Sequence, residues 1–215
     1  YIAMSTRNGI IKRSSLSMYS RPRKGGIYAI EIREGDELIQ AKISHGDQDF
    51  ILATHNGKSI RFSENNVRPT GRKTMGVRGI RLSSKHDRVV GMLVVKREGS
   101  ILVVTNHGYG KRTSLENYRT QNRGGKGVIT IKTTKKVGQL IGIMEAIDGD
   151  DLMLITDKGI MIRQPVEHIR TIGRNTQGVR LAKLDSGTKI SSATRILKDE
   201  NEEENKDREI TNPQD

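Results

Sequence analysis

Cysteine and tryptophan are absent, proline occurs four times, and five tyrosines and two phenylalanines make up the aromatic content. Without cysteine there is no disulfide framework and no Cys-ligated zinc, so a reducing compartment suits the chain. So few aromatics leave little to stack on unpaired bases, which disfavours single-strand recognition. No apolar run approaches the roughly 18 residues needed to cross a membrane, and no secretory leader is expected. Residue 1 is Tyr rather than Met, as expected of an excised domain.

Catalytic and metal-binding patterns are equally thin. Gly57-Lys58-Ser59 resembles the end of a phosphate-binding loop, but Leu52 stands where its first glycine is required. Gly124-Gly125-Lys126-Gly127 lacks a strand-to-helix context. His45, His55, His86, His107 and His168 are scattered at no ligand spacing. Asp148, Asp150 and Asp151 read as a polar turn between repeats. No Ser/His/Asp set can be picked out. Neither catalysis nor a metal or cofactor is expected of this chain itself.

Charge is abundant and unevenly placed. The chain carries 38 Lys+Arg against 25 Asp+Glu, a net +13. Residues 198–215 hold eight acids and three bases, which leaves 35 bases, 17 acids and a net +18 in 1–197. A body this basic points to a polyanion, most commonly nucleic acid. The acidic tail is expected to be disordered.

The body repeats itself. Gly9, Gly57, Gly108 and Gly159 are spaced by 48, 51 and 51 residues. Four positions after each stands an arginine: Arg13, Arg61, Arg112 and Arg163. Ten positions after stand Tyr19, Val67, Tyr118 and Ile169. In the last three repeats, offsets 15, 19, 20 and 24 carry Arg72, Arg123 and Arg174, then Gly76, Gly127 and Gly178, then Val77, Val128 and Val179, then Arg81, Lys132 and Lys183. Such a period marks a repeat architecture.

Each repeat reads as four strands. In the second, 49–54 and 58–63 flank Asn56-Gly57, a type I′ hairpin signal. Residues 77–82 then alternate apolar and basic, and 89–95 form a nearly continuous apolar strand. The third gives 100–105, 109–113, 128–133 and 139–145, and the fourth 151–156, 160–163, 179–184 and 189–195. Helical periodicity is absent. The expected fold is all-β and propeller-like, with four-stranded blades at about 1–44, 45–95, 96–146 and 147–197.

The periodic cations have a functional reading. A blade does not need them to fold, and repeating blades bring them to one rim. A duplex lying along that rim meets Lys12, Arg13, Arg23, Lys24, Arg61, Arg68, Arg72, Lys73, Lys111, Arg112, Arg119, Arg123, Lys126, Arg163, Arg170 and Arg174. Contacts of this kind release counterions independently of base sequence, and the neighbouring glycines let the backbone approach phosphates. The competing reading is that these arginines pair with acids or solvate an outer face. Tyr19 and Tyr118 share a slot with Val67 and Ile169 and are expected to pack.

The run from Gly108 to Tyr118 (Gly-Tyr-Gly-Lys-Arg-Thr-Ser-Leu-Glu-Asn-Tyr), followed by Gln121, Asn122, Arg123, Gly124, Gly125, Lys126 and Gly127, resembles the C-terminal domain of the DNA gyrase A subunit. Gly76 to Leu82 and Ile172 to Gly178 are similar to the same domain's later blades. The resemblance covers about 1–197. It implies a β-pinwheel, a disc of blades with strand exchange, that binds and wraps duplex DNA around a basic rim. It further implies a heterotetramer with the rest of the A subunit and the B subunit, which introduces negative supercoils using ATP and Mg in the bacterial cytoplasm. Gln121 to Gly127 matches the gyrase A box except at Asn122. It lies in the third of four repeats, whereas the family box belongs to the first blade of six. The topoisomerase IV A-type subunit is the neighbouring resemblance. A propeller that binds acidic proteins is the alternative of a different class.

Overall fold

Fifteen antiparallel strands make up the fold in a computed structural model that describes residues 1–96 and 99–197. The acidic tail at 198–215 lies outside the described residues. In chain order the strands are β1 (Ile2–Thr6), β2 (Ile10–Ser14), β3 (Leu38–Ile43), β4 (Asp49–Thr54), β5 (Lys58–Ser63), β6 (Val77–Arg78), β7 (Val89–Val95) and β8 (Ser100–Thr105). They continue as β9 (Tyr109–Ser114), β10 (Val128–Ile129), β11 (Leu140–Ala146), β12 (Asp151–Thr156), β13 (Met161–Pro165), β14 (Val179–Arg180) and β15 (Ile190–Ile196).

The sheets do not coincide with the repeats. Their strand orders are β3-β1-β2-β6, β10-β5-β4-β7, β11-β8-β9-β14 and β13-β12-β15. Each of the first three blades therefore takes three strands from its own repeat and a short outer strand from the next. Repeats two to four each supply the expected four strands, but the third of them is short and pairs on the preceding blade: the alternating segment 77–82 forms a ladder only at 77–78, with β2. The fourth sheet has three strands among the described residues.

The hairpin glycines record this exchange. A Cβ on Gly108 would sit 2.8 Å from the Ala182 carbonyl of the incoming segment, whereas one on Gly159 would meet nothing within 4 Å. The turn type differs from expectation. No described residue other than glycine has positive φ, which excludes a type I′ turn at Asn56. Instead Gly57 N–H donates to Thr54 O at 2.9 Å with Gly57 at φ +77°. That is the pattern of a three-residue hairpin closed by a glycine bulge.

The core lies in the seams between blades. β4 is buried on both faces, so it reads as a continuous apolar run. Phe50 and Leu52 pack toward the first repeat with Ala3, Ile11 and Ile80, while Ile51 and Ala53 pack toward the third with Val103, Ile131 and Leu140. β8 repeats the arrangement one blade on, sending Leu102 and Val104 against Leu152 and Leu154. Phe50 and Phe62 meet edge-on, ring centroids 6.0 Å apart. The inner strands β3, β7, β11 and β15 face a common central space of 860 Å³ lined by Lys42, Lys96, Glu145 and Arg195, among others.

A candidate nucleic-acid rim

A short 3₁₀ turn follows the second strand of each repeat, at Leu16–Tyr19, Glu64–Asn66, Leu115–Asn117 and Val166–His168. These turns carry no helical periodicity in sequence. In the last three repeats the chain then crosses to the preceding blade. Thr70 N–H donates to Arg13 O at 2.9 Å, Gln121 N–H to Arg61 O at 2.8 Å and Ile172 N–H to Arg112 O at 2.9 Å. Each connecting loop is thereby laid over the seam between two blades. Arg81 N–H to Gly125 O and Lys132 N–H to Thr176 O, both 2.8 Å, fasten its far side.

The loop closes on a glycine because no other residue fits there. Gly76 has φ +94°, and a Cβ there would stand 2.5 Å from the Ile11 carbonyl.

The sixteen expected phosphate ligands divide into three groups. Lys12, Arg13 and Lys111 are buried at 0%, 5% and 0% exposure. They are not rim cations, which corrects the sequence reading. Lys12 Nζ donates to Ala29 O at 2.7 Å and Arg72 O at 2.5 Å. Lys111 Nζ donates to Gly173 O at 2.6 Å, to Arg174 O and to Thr176 Oγ1 at 2.9 Å. Burial, then the Arg174 charge, lowers the Lys111 pKa to about 8. The same two causes, with Arg72 as the charge, lower that of Lys12.

The second group is half engaged. Like buried Arg13, which pairs with Glu64 at 2.9 Å, the other arginines four positions after the hairpin glycine pair with acids: Arg61 with Asp49 and Arg112 with Asp148 at 2.7 Å, Arg163 with Asp151 at 2.6 Å. Arg61 Nη1 also donates to Leu115 O and Tyr118 O, and Arg112 Nη1 to Val166 O, across the seam. These are inter-blade ties, the competing reading for the set. Arg123 donates to Asn66 O at 2.8 Å and Arg78 O at 3.2 Å, and Arg174 to Ile129 O at 2.7 Å. Both remain partly exposed, as does Arg72.

The third group faces solvent: Arg23, Lys24, Arg68, Lys73, Arg119, Lys126 and Arg170. Arg68, Arg119 and Arg170 occupy one position in successive loops, 51 residues apart, directly after the 3₁₀ turn. Asn122 is exposed, as Lys126 is, while Gln121, Gly124, Gly125 and Gly127 are partly covered by the seam. Exposed Arg78 and Arg180, on the exchanged strands β6 and β14, were missed in the sequence. Ile129 fills their position in the third repeat, so no period flagged them.

The aromatic slot is structural. Tyr118 is buried at 1% with its hydroxyl 2.7 Å from Thr130 Oγ1, and Val67 and Ile169 are buried likewise. The aspartates of 148–151 all find arginines, Asp150 reaching Arg195 at 3.3 Å. No cluster of three metal-ligating side chains occurs among the described residues, and no described helix is long and apolar enough to cross a membrane.

Comparison with known proteins follows the same repeats. The family model described as "DNA gyrase C-terminal domain, beta-propeller" matches residues 1–45, 48–96, 99–145 and 150–196. The DNA gyrase A subunit of Salmonella typhimurium is 40% identical over 203 residues, 94% of this chain and 23% of that protein. That of Mycolicibacterium smegmatis is 43% identical over 197 residues, 91% and 23% respectively. The chain thus spans about a quarter of the length of these relatives. A solved DNA gyrase A C-terminal domain superposes with TM-score 0.82 at 26% identity, covering 92% of this chain and 66% of that one. A topoisomerase IV C-terminal domain superposes with TM-score 0.87 at 25% identity, covering 99% and 67%.

Proposed function

Since the chain belongs to the DNA gyrase C-terminal domain family of β-propellers, we propose that it binds duplex DNA without sequence preference and wraps it along the loop-bearing rim. The observation that carries this reading is the recurrence of solvent-facing Arg68, Arg119 and Arg170 at one position of three successive loops. Lys73 and Lys126 are exposed in the same loops. Cations at a fixed angular step meet a duplex only if it curves with the rim. Bending 20–30 bp by 40–90° costs about 1–6 kcal/mol, which several phosphate contacts offset. Each neutralised phosphate adds about 0.9 to the slope of log affinity against log salt.

Within the whole enzyme, the wrap would fix the hand of a DNA crossing. It would thereby direct ATP-dependent negative supercoiling by a heterotetramer of A and B subunits in the bacterial cytoplasm. ATP and Mg would act elsewhere in that assembly, and the part proposed for this chain is non-catalytic. A nicked circle sealed by ligase with increasing amounts of the chain tests the wrap. A dose-dependent change in linking number is expected, its sign giving the hand. Binding with unchanged linking number would reduce the role to holding or bending DNA. The TM-score of 0.87 to a topoisomerase IV domain keeps the A-type subunit of that enzyme as a second setting for the same rim.

A further inference from the structure

Two kinds of loop cross the seams, and what lies beneath distinguishes them. Three positions after the hairpin glycine the four repeats carry Lys12, Ile60, Lys111 and Ile162. Lys12 lies under Gly71-Arg72-Lys73-Thr74, and Lys111 under Gly173-Arg174-Asn175-Thr176. Ile60 instead lies under Asn122-Arg123-Gly124-Gly125, where a Cβ on Gly125 would stand 3.4 Å from the Ile60 side chain. A buried lysine thus accompanies the Gly-Arg-x-Thr loops, and a buried isoleucine the Arg-Gly-Gly loop. In both lysine-backed loops the Thr hydroxyl closes on the Gly carbonyl at 2.9 Å (Thr74 to Gly71, Thr176 to Gly173).

The lysine dictates which way the peptides face. The described peptide bonds are all trans, so a carbonyl drawn inward turns the following N–H outward. With the carbonyls of Gly173 and Arg174 on Lys111, the N–H groups of Arg174 and Asn175 face away from the blade. Neither finds an acceptor among the described residues. In the other loop Lys12 takes only the Arg72 carbonyl, its second acceptor being Ala29 O, so Lys73 N–H alone is turned outward. Successive outward N–H groups over a buried cation form a concave anion cradle.

We propose that Lys111 is a positioning residue that holds its loop as a preformed cradle for a phosphate of the duplex backbone, so that binding uses backbone N–H groups there as well as exposed cations. The inference rests on the DNA-binding reading above. Lys111 does not touch the phosphate. It orients the peptides that do, and its charge adds to the field beneath them. Because burial and the Arg174 charge lower the pKa of this ammonium to about 8, the cradle around Lys111 loosens as pH rises through that value. The charged group facing it is Arg174. Its chain neighbour Arg112 is paired with Asp148, and burial raises the pKa of Tyr118, which keeps its phenol neutral over this range.

Affinity of the chain for a fluorescent mixed-sequence duplex, across salt at pH 7 and pH 9, tests this. Lys111→Met is expected to weaken binding about three- to tenfold at pH 7 with an unchanged salt slope. The wild type is expected to weaken several-fold between pH 7 and pH 9, and the variant to stay flat. A second variant guards against misfolding: Lys111→Ile combined with Gly173→Asn, Asn175→Gly and Thr176→Gly, which copies the isoleucine-backed loop. It should melt no lower than the wild type does, with the same flat pH profile of binding as Lys111→Met. A slope reduced by about 0.9 in Lys111→Met would make the lysine a direct phosphate ligand and overturn the positioning role. Equal affinity and pH dependence in wild type and both variants would overturn it as well. A wild-type chain that fails to bind the duplex at low salt would overturn the DNA reading itself.

Discussion

Glu64 is enclosed between the first two blades, accepting hydrogen bonds from Arg13 at 2.9 Å, Ser44 at 2.7 Å, and the N–H groups of Gly46 and Gln48 at 2.7 and 2.9 Å. Burial by itself would raise its pKa, but these donors from Ser44, Gln48, Arg13 and Gly46 hold it below the usual carboxylate value. The folded state therefore binds this proton less tightly than the unfolded one. The resulting stability is present above the unfolded pKa of about 4.5 and is lost as pH falls through the lower folded value. Glu64→Gln should cost about 3 kcal/mol in urea unfolding at pH 7, since it strands the buried Arg13, and should flatten the acid limb. Lys111 has the opposite sign. Its folded pKa of about 8 lies below the ordinary 10.5, so the unfolded chain binds more protons between those values. Stability should then rise with pH over that window and level off in Lys111→Met, read by thermal melts at pH 7, 8 and 10. DNA affinity should move the other way, because the charged lysine serves the loop at a cost to the fold.

Among the elements, the exchanged segment distinguishes the blades. The incoming chain places the Ala182 carbonyl over Gly108, while Gly159 has open space above it. Both glycines have positive φ, +76° and +81°, so alanine at either is strained by about 1–2 kcal/mol. Gly108→Ala must in addition displace backbone, which adds about 1–3 kcal/mol. Denaturant unfolding should therefore find Gly108→Ala less stable than Gly159→Ala by at least about 1 kcal/mol. Equal losses would mean that the exchanged segment does not bear on the hairpin. The same exchange explains why 77–82 reads as a six-residue strand yet pairs over two. Its alternation is set by lying in a seam, with Ile80 buried between blades and Arg78 and Arg81 outside, rather than by a long ladder.

For the whole molecule, the rim works as a curved row of charges. Neutralising Arg68, Arg119 and Arg170 together as glutamines should lower the salt slope of duplex binding by about 2.7 units and abolish the linking-number change. The melting temperature should stay put, because these side chains are exposed to solvent. Arg61→Gln should do the reverse, lowering stability through the lost ties to Asp49, Leu115 O and Tyr118 O with little change in slope. Such a crossed result separates arginines that build the rim from those that present charge to the duplex.

The sequence by itself determined the repeat, the strand positions to within a few residues and the basic character of one recurrent loop. Spacing, alternation and glycine placement are local properties that survive in one dimension. It also marked Tyr118 and Val67 as one packing slot, because aromatic and β-branched residues alternate there. Only the tertiary structure decided which cations reach solvent. Arg13 and Arg119 look alike as periodic basic residues, but one meets Glu64, 51 residues away, and the other meets water. Lys12 and Lys111 carried a readable sign, since Ile60 and Ile162 hold their position in the other repeats and mark it as inward-facing. Apart from Ala29 O beneath Lys12, the carbonyls that make a lysine acceptable there come from loops 60 to 63 residues further along the chain. Burial and pairing across a seam depend on which segments the exchange brings together, and no spacing within one repeat encodes that.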